Sequence, residues 1–176
     1  MALQVETRDC AALTDADLDD MASMGGAFDI GVLSKAKEDW VLCTTARVDD
    51  KLHGVAFATL ERIGGTPCVL IGLLSVRRSS KRDQVLKGLM GEAFHRALMA
   101  FPDEDVVVGS RFVRADALDA LKQLDDLIPR PGHRPSVRSV RGVVVSPVGS
   151  ASTPTTTSRA SSSVRTARAA SSITSA

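Results

Sequence analysis

The chain has 176 residues, 44% of them hydrophobic, enough for one domain with a real core and too few to expect two. Its net charge of +1 hides a split: all 21 acidic residues precede residue 127, whereas the rest of the chain carries Arg and no acid. A net-negative front with no aromatic residues interleaved among its charges argues against nucleic acid as a partner, and the longest strongly apolar stretch, VLIGLLSV at 69–76, is far short of a membrane span.

LQVETRD (3–9) alternates apolar and polar residues, which predicts a strand with one buried face. TDADLDDMASMGG (14–26) predicts a helix. Thr14 stands as N-cap with Asp17 three residues on, acids fill the first turn, and Gly25 and Gly26 follow the end. Residues 27–39 have no clear period and read as a short helix and a loop. WVLCTTARV (40–48) and VAFATLERI (55–63) read as strands of a hairpin turning through DDKLHG, with Trp40 as a core or rim anchor. After IGGTP, CVLIGLLSV (68–76) is apolar on both faces, as expected of a central strand covered by helices.

Val85, Leu86, Leu89, Met90, Ala93, Phe94, Ala97, Leu98 and Phe101 form one apolar stripe and predict a core-facing helix over 83–101. Ser80 with Asp83 makes a capping box there, or Ser79 serves instead. EDVVVGSRFV (104–113) predicts a further strand and RADALDALKQL (114–124) a further helix. Near residue 134 the composition changes: residues 134–176 use only Arg, Pro, Ser, Val, Gly, Ala, Thr and Ile. Such a segment cannot bury enough apolar surface to order itself, and only VRGVVVSPV (140–148) has strand character. The expected organisation is a domain over 1–133 and a low-complexity, disordered tail over 134–176. Two origins fit the tail, a native extension or an out-of-frame reading of a GC-rich gene; the second would leave the sheet without its final strands and with an exposed edge.

Cys10, Cys43 and Cys68 are odd in number and scattered, matching neither a disulfide framework nor a metal site, so buried free thiols in a reducing cytoplasm are expected. MALQVETRDC has no basic n-region and no apolar h-region, consistent with a soluble cytoplasmic protein. His53, His95 and His133 sit near no nucleophile pattern and read as solvent-facing.

The informative stretch is SVRRSSKRDQVLKGLMGEAF (75–94), where a strand meets Arg77, Arg78, Lys81 and Arg82 and a helix begins. A helix N-terminus offers free backbone N–H groups and the positive end of its dipole, which suits a phosphate. A solvated basic turn, a phosphate site and a nucleic-acid contact all fit these residues.

The element order, an α+β one with a mixed, mostly antiparallel sheet flanked by helices, together with this turn resembles the GNAT superfamily of N-acetyltransferases over residues 2–128. In that family the fourth strand runs into V-x-P-x-x-R-G-x-G-I-G-x-x-L, whose loop amides bind the pyrophosphate of acetyl-CoA. Val76 matches the opening valine, Lys81 the arginine, Val85 the isoleucine and Leu89 the leucine, while Arg82, Gln84 and Leu86 stand at the glycines. The resemblance implies that acetyl-CoA or another acyl-CoA lies against Leu74, Val76, Lys81, Arg82, Gln84, Val85, Leu86 and Lys87. It also implies acyl transfer to an amine of a small molecule or protein. A family Tyr on the last helix falls at Leu121, and the chain has no Tyr. Glu61 is the nearest carboxylate for the family's general base; its plainer reading is a strand-edge charge. The alternative function is a non-catalytic GNAT-like module that binds a CoA-type ligand or a protein partner.

Overall fold

In the computed structural model, residues 2–25, 28–112, 120, 127–128 and 143–147 are described. The alternating N-terminus is β1 (Leu3–Asp9), followed by a 3-10 turn at Cys10–Ala12. The helix α1 (Asp15–Ser23) starts as its sequence requires: Thr14 Oγ1 accepts from Asp17 N at 3.2 Å and Asp17 Oδ2 accepts from Thr14 N at 2.8 Å. The stretch without a clear period contains a full helix, α2 (Ile30–Asp39), because the Asp29 carboxylate takes the Val32 N–H at 2.9 Å and caps it.

Then come β2 (Leu42–Val48), β3 (Lys51–Ile63) and β4 (Thr66–Val76), an antiparallel meander with β1 on its outer edge. The long helix α3 (Arg82–Ala100) leads to β5 (Val107–Phe112), and short strands β6 (Leu127–Ile128) and β7 (Val143–Pro147) complete the described sheet. Its order is β1-β2-β3-β4-β5-β7-β6. The β4–β5 pair is parallel, which demands a crossover, and α3 supplies it. β5, β7 and β6 continue parallel.

Each face of the meander has its own core. On one, α3 lays Val85, Leu86, Leu89 and Met90 onto Val69, Ile71, Leu74 and Val76. On the other, α1 and α2 bring Leu18, Met21 and Leu33 against Cys43, Phe57, Leu73 and Trp40. With both faces covered, β4 is the central strand that its continuous apolar run predicts. No helix among the described residues is long and apolar enough to cross a membrane.

Three local expectations are corrected. The hairpin turn is only Asp49 and Asp50, both at positive φ (50° and 62°), so residues 51–54 belong to β3; a two-residue turn of that hand matches the twist of the strands. The Ser80–Asp83 capping box does not form. Nor does Ser79 cap the helix: Lys81 is the N-cap, without a side-chain cap, and its N–H donates to Ser79 Oγ at 3.3 Å. Leu98 ends the α3 stripe exposed rather than buried. The expected helix over 114–124 lies outside the described residues apart from a buried Ala120, and so do residues 149–176. The strand expected within 140–148 is β7.

Candidate functional site

The site is built by one irregularity in β4. Along the β3–β4 ladder Phe57 faces Leu73 and Ala58 faces Ile71, so Gly72 is an extra residue, a β-bulge. The parallel β4–β5 ladder runs from Cys68↔Val107 to Ile71↔Ser110 and stops there, immediately before the bulge. Ser110 Oγ ties the last pair by donating to Ile71 O at 3.1 Å. Beyond it, among the described residues, β4 continues to Val76 with only β3 as ladder partner, while β5 runs on to Phe112 with β7 on its other edge. A bulge bends its strand and sharpens the local twist, which is why two strands paired up to Ile71 part after it. The result is a crevice along 72–76, where the β4 edge away from β3 has no ladder partner among the described residues.

That edge runs directly to the N-terminus of α3. The connecting turn is closed by Arg77 N–H donating to His53 O at 2.8 Å and Arg82 N–H donating to Ser79 O at 3.1 Å. The first helical bond is Val85 N–H to Lys81 O at 2.9 Å. The Asp83 and Gln84 amides stand at the positions where a helix leaves N–H groups without intrahelical partners, at the positive end of its dipole. Ligands of open sheets sit in such crevices at the carboxyl ends of strands.

The expected residues divide by what they face. Leu74, Val76, Val85 and Leu86 are buried in the α3-side core. Leu86 occupies a family glycine position, yet its side chain packs inward, so its bulk does not obstruct the helix end. Gln84 and Lys87 are exposed. Lys81 lies 3.9 Å from Asp49 Oδ2, and Arg82 lies 3.5 Å from Asp83 Oδ1 with its side chain only 19% exposed. Arg82 is therefore a largely covered side chain on the first turn of α3 rather than a loop side chain. Glu61 is exposed on β3 opposite Cys68, where β4 and β5 are still paired. It sits at the closed end, away from the α3 N-terminus.

Two features escaped the sequence. His53, expected in a solvent-facing turn, is half-buried on β3 with Nδ1 buried and without a hydrogen-bond partner among the described residues. Burial lowers its pKa, and the Arg77 and Lys81 charges lower it further. Ser75, on the unpaired stretch of β4, is 1% exposed, and its Oγ has no partner among the described residues. A buried hydroxyl without a partner costs free energy. Only an arrangement with both strands in place exposes either feature. His95 is exposed on α3 as expected, and His133 lies outside the described residues.

No protein-family model matches the chain, and no curated protein matches it. Among solved structures, the ribosomal-protein-alanine N-acetyltransferase from Brucella melitensis biovar Abortus 2308 superposes with a TM-score of 0.51 at 16% identity, covering 70% of this chain and 88% of that one. An aminoglycoside acetyltransferase from an uncultured soil metagenomic sample, in complex with sisomicin, gives 0.47 at 17% identity, covering 77% and 91%. The Brucella likeness shows the fold: this chain has a GNAT-like α+β architecture.

Proposed function

We propose that this GNAT-like chain is an N-acyltransferase whose β4–β5 crevice takes acetyl-CoA or another acyl-CoA and delivers the acyl group to an amine of a small molecule or protein. The observation that carries the reading is the parting of β4 from β5 after Ile71, with the opened edge running straight to the N-terminus of α3. The residues present fit the ligand. The Asp83 and Gln84 amides and the α3 dipole suit a diphosphate, with Lys81 and Arg82 adding charge beside it. The unpaired edge over 72–76 suits an extended arm bearing amides, in the manner of an added strand, and the orphan Ser75 hydroxyl offers it a further partner. Of the three residues at family glycine positions, Arg82 and Gln84 stand at the helix end that a diphosphate would approach, Gln84 with its side chain exposed, whereas Leu86 is core.

Bound acyl-CoA supplies an activated thioester carbonyl. The protein's task is then to hold a neutral amine beside that carbon and to give two protons a path, one leaving the amine and one reaching the thiolate. Holding the reactants is within reach of the crevice alone. Glu61 is the carboxylate proposed to receive the amine proton, through water. Three free, buried cysteines among the described residues support a reducing, cytoplasmic setting.

A second reading, a non-catalytic module that binds a CoA-type ligand or a protein partner, is favoured by two observations: Glu61 is exposed at the closed end of the crevice, and the chain has no Tyr. Calorimetric titration with CoA and acetyl-CoA, followed by mass spectrometry of an amine panel, separates the two. The panel includes peptide amines, since the Brucella protein is named for ribosomal-protein alanine. The variant Gln84→Glu adds an exposed charge at the helix end, where acids favour the helix, and should weaken CoA binding about fivefold to tenfold, less at high salt. Binding with acylated product supports the transferase; binding without product supports the module. Absence of any binding refutes both CoA readings.

A further inference from the structure

Trp40 occupies a decisive place. It follows α2 directly, and its indole crosses the sheet to lie on the Gly72 bulge: a Cβ at residue 72 would fall 1.8 Å from Trp40 Cζ2 and 1.9 Å from Cε2. Only a glycine admits the ring there. Gly72 is also the first residue of β4 past the Ile71↔Ser110 pair, so the ring caps the inner end of the crevice on the α1–α2 face. On the other face, among the described residues, Ile71 and Leu74 pack with Val108 and the α3 side chains in one core. A chain entering along 76 to 72 thus meets the paired strands ahead, the α3 core on one side and the indole on the other.

We infer that Trp40, seated on Gly72 where β4 and β5 part, is the specificity-determining residue that limits the transferred group to a short acyl chain. This rests on the acyl-CoA reading of the crevice. A short group fits between the last strand pair and the ring; each further methylene must displace an indole that is 9% exposed and packed with Phe57, Leu73 and Cys43. Overfilling a packed site is unfavourable, and a hydrophobic wall of this kind grades ligands by length.

The chain has one tryptophan, so its fluorescence reports on this wall alone. The full chain is titrated with CoA, acetyl-CoA, butyryl-CoA and octanoyl-CoA, with calorimetry giving each Kd and emission the state of the ring. The wild-type protein should bind CoA and acetyl-CoA alike, shift its emission with acetyl-CoA and not with CoA, and bind octanoyl-CoA at least about tenfold more weakly than acetyl-CoA. Trp40→Ala should improve octanoyl-CoA binding by about tenfold or more while free CoA, which has no acyl group, serves as the unchanged reference. Should that variant not fold, Trp40→Phe should give an intermediate ratio, and the wild-type series stands without any variant. Equal affinity of the wild type for octanoyl-CoA and acetyl-CoA, or a ratio unmoved by the substitutions, overturns the inference while leaving the CoA site intact. If the wild type binds no CoA species, the acyl-CoA reading itself falls, and this inference with it.

Discussion

Adding one methyl group at three glycines tests how tightly α3 is held against the sheet, and therefore how rigidly its N-terminus is presented to the crevice. Gly54 lies opposite Val76 on β3, beneath the first turns of α3. A Cβ there would sit 2.7 Å from Val85 Cγ1 and 2.9 Å from Leu89 Cδ1, both on side chains that are 0% exposed, with Ser75 O at 3.5 Å behind. Nothing in that set can yield without moving the helix, so Gly54→Ala should cost about 1–3 kcal/mol. Gly88 faces the ends of Leu3 and Val5 at 2.9 and 3.0 Å, half-buried side chains with room to turn, so the clash is offset by the helix gain and the net is within about 0.5 kcal/mol of zero. Gly91 meets nothing within 4 Å on the exposed side of α3, and Gly91→Ala should stabilise by about 0.5–1 kcal/mol. Urea unfolding at neutral pH, read by circular dichroism with shared slopes, gives the three differences. The order Gly54, Gly88, Gly91 from most destabilising to stabilising is the expected result. A Gly54→Ala protein as stable as the wild type would mean that α3 is not seated on β3 as described.

The acid limb of stability should carry the α1 cap. Asp17 is held down to about 2, first by the Thr14 backbone N–H, then by the Arg8 guanidinium at 2.9 Å and by the Thr14 hydroxyl. A depressed carboxyl stabilises the fold above its ordinary 3.8 and loses that contribution as pH falls through its folded value, so Asp17→Asn should cost about 2 kcal/mol at pH 7 and about half that at pH 3. A difference between the two proteins that does not change with pH would contradict this. The thiols should be inert while the protein is folded: burial pushes Cys10 up to about 12 and raises Cys43 and Cys68 as well. Reaction with a thiol reagent at pH 8 should accordingly be roughly 100-fold slower than in denaturant, and fast labelling of Cys10 or Cys43 in the native chain would show that the α1–α2 core opens readily.

Much of this protein is written in residues that act on near neighbours. Thr14 and Asp17 cap α1 across one turn, the 3–9 alternation becomes β1, the unbroken apolar run becomes the central strand, and the stripe from Val85 to Ala97 finds the core. Those effects depend on local spacing, which a sequence displays directly. The same spacing, joined to the basic turn, led to the GNAT-like fold. What depends on two distant segments stayed hidden. Gly72 looks like one more residue in a buried strand until the β3 register makes it a bulge, and Trp40 looks like any core aromatic until α2 delivers its ring onto that glycine. His53 reads as part of a loop because the turn contracts to Asp49 and Asp50 only once β2 and β3 pair. The Ser80 cap was a local rule overruled by the turn, which hands the N-cap to Lys81 and ties Arg77 back to His53. Helices and strands follow from neighbours along the chain. The crevice exists because β4 must satisfy β3, β5 and Trp40 at once, and only packing decides how it yields.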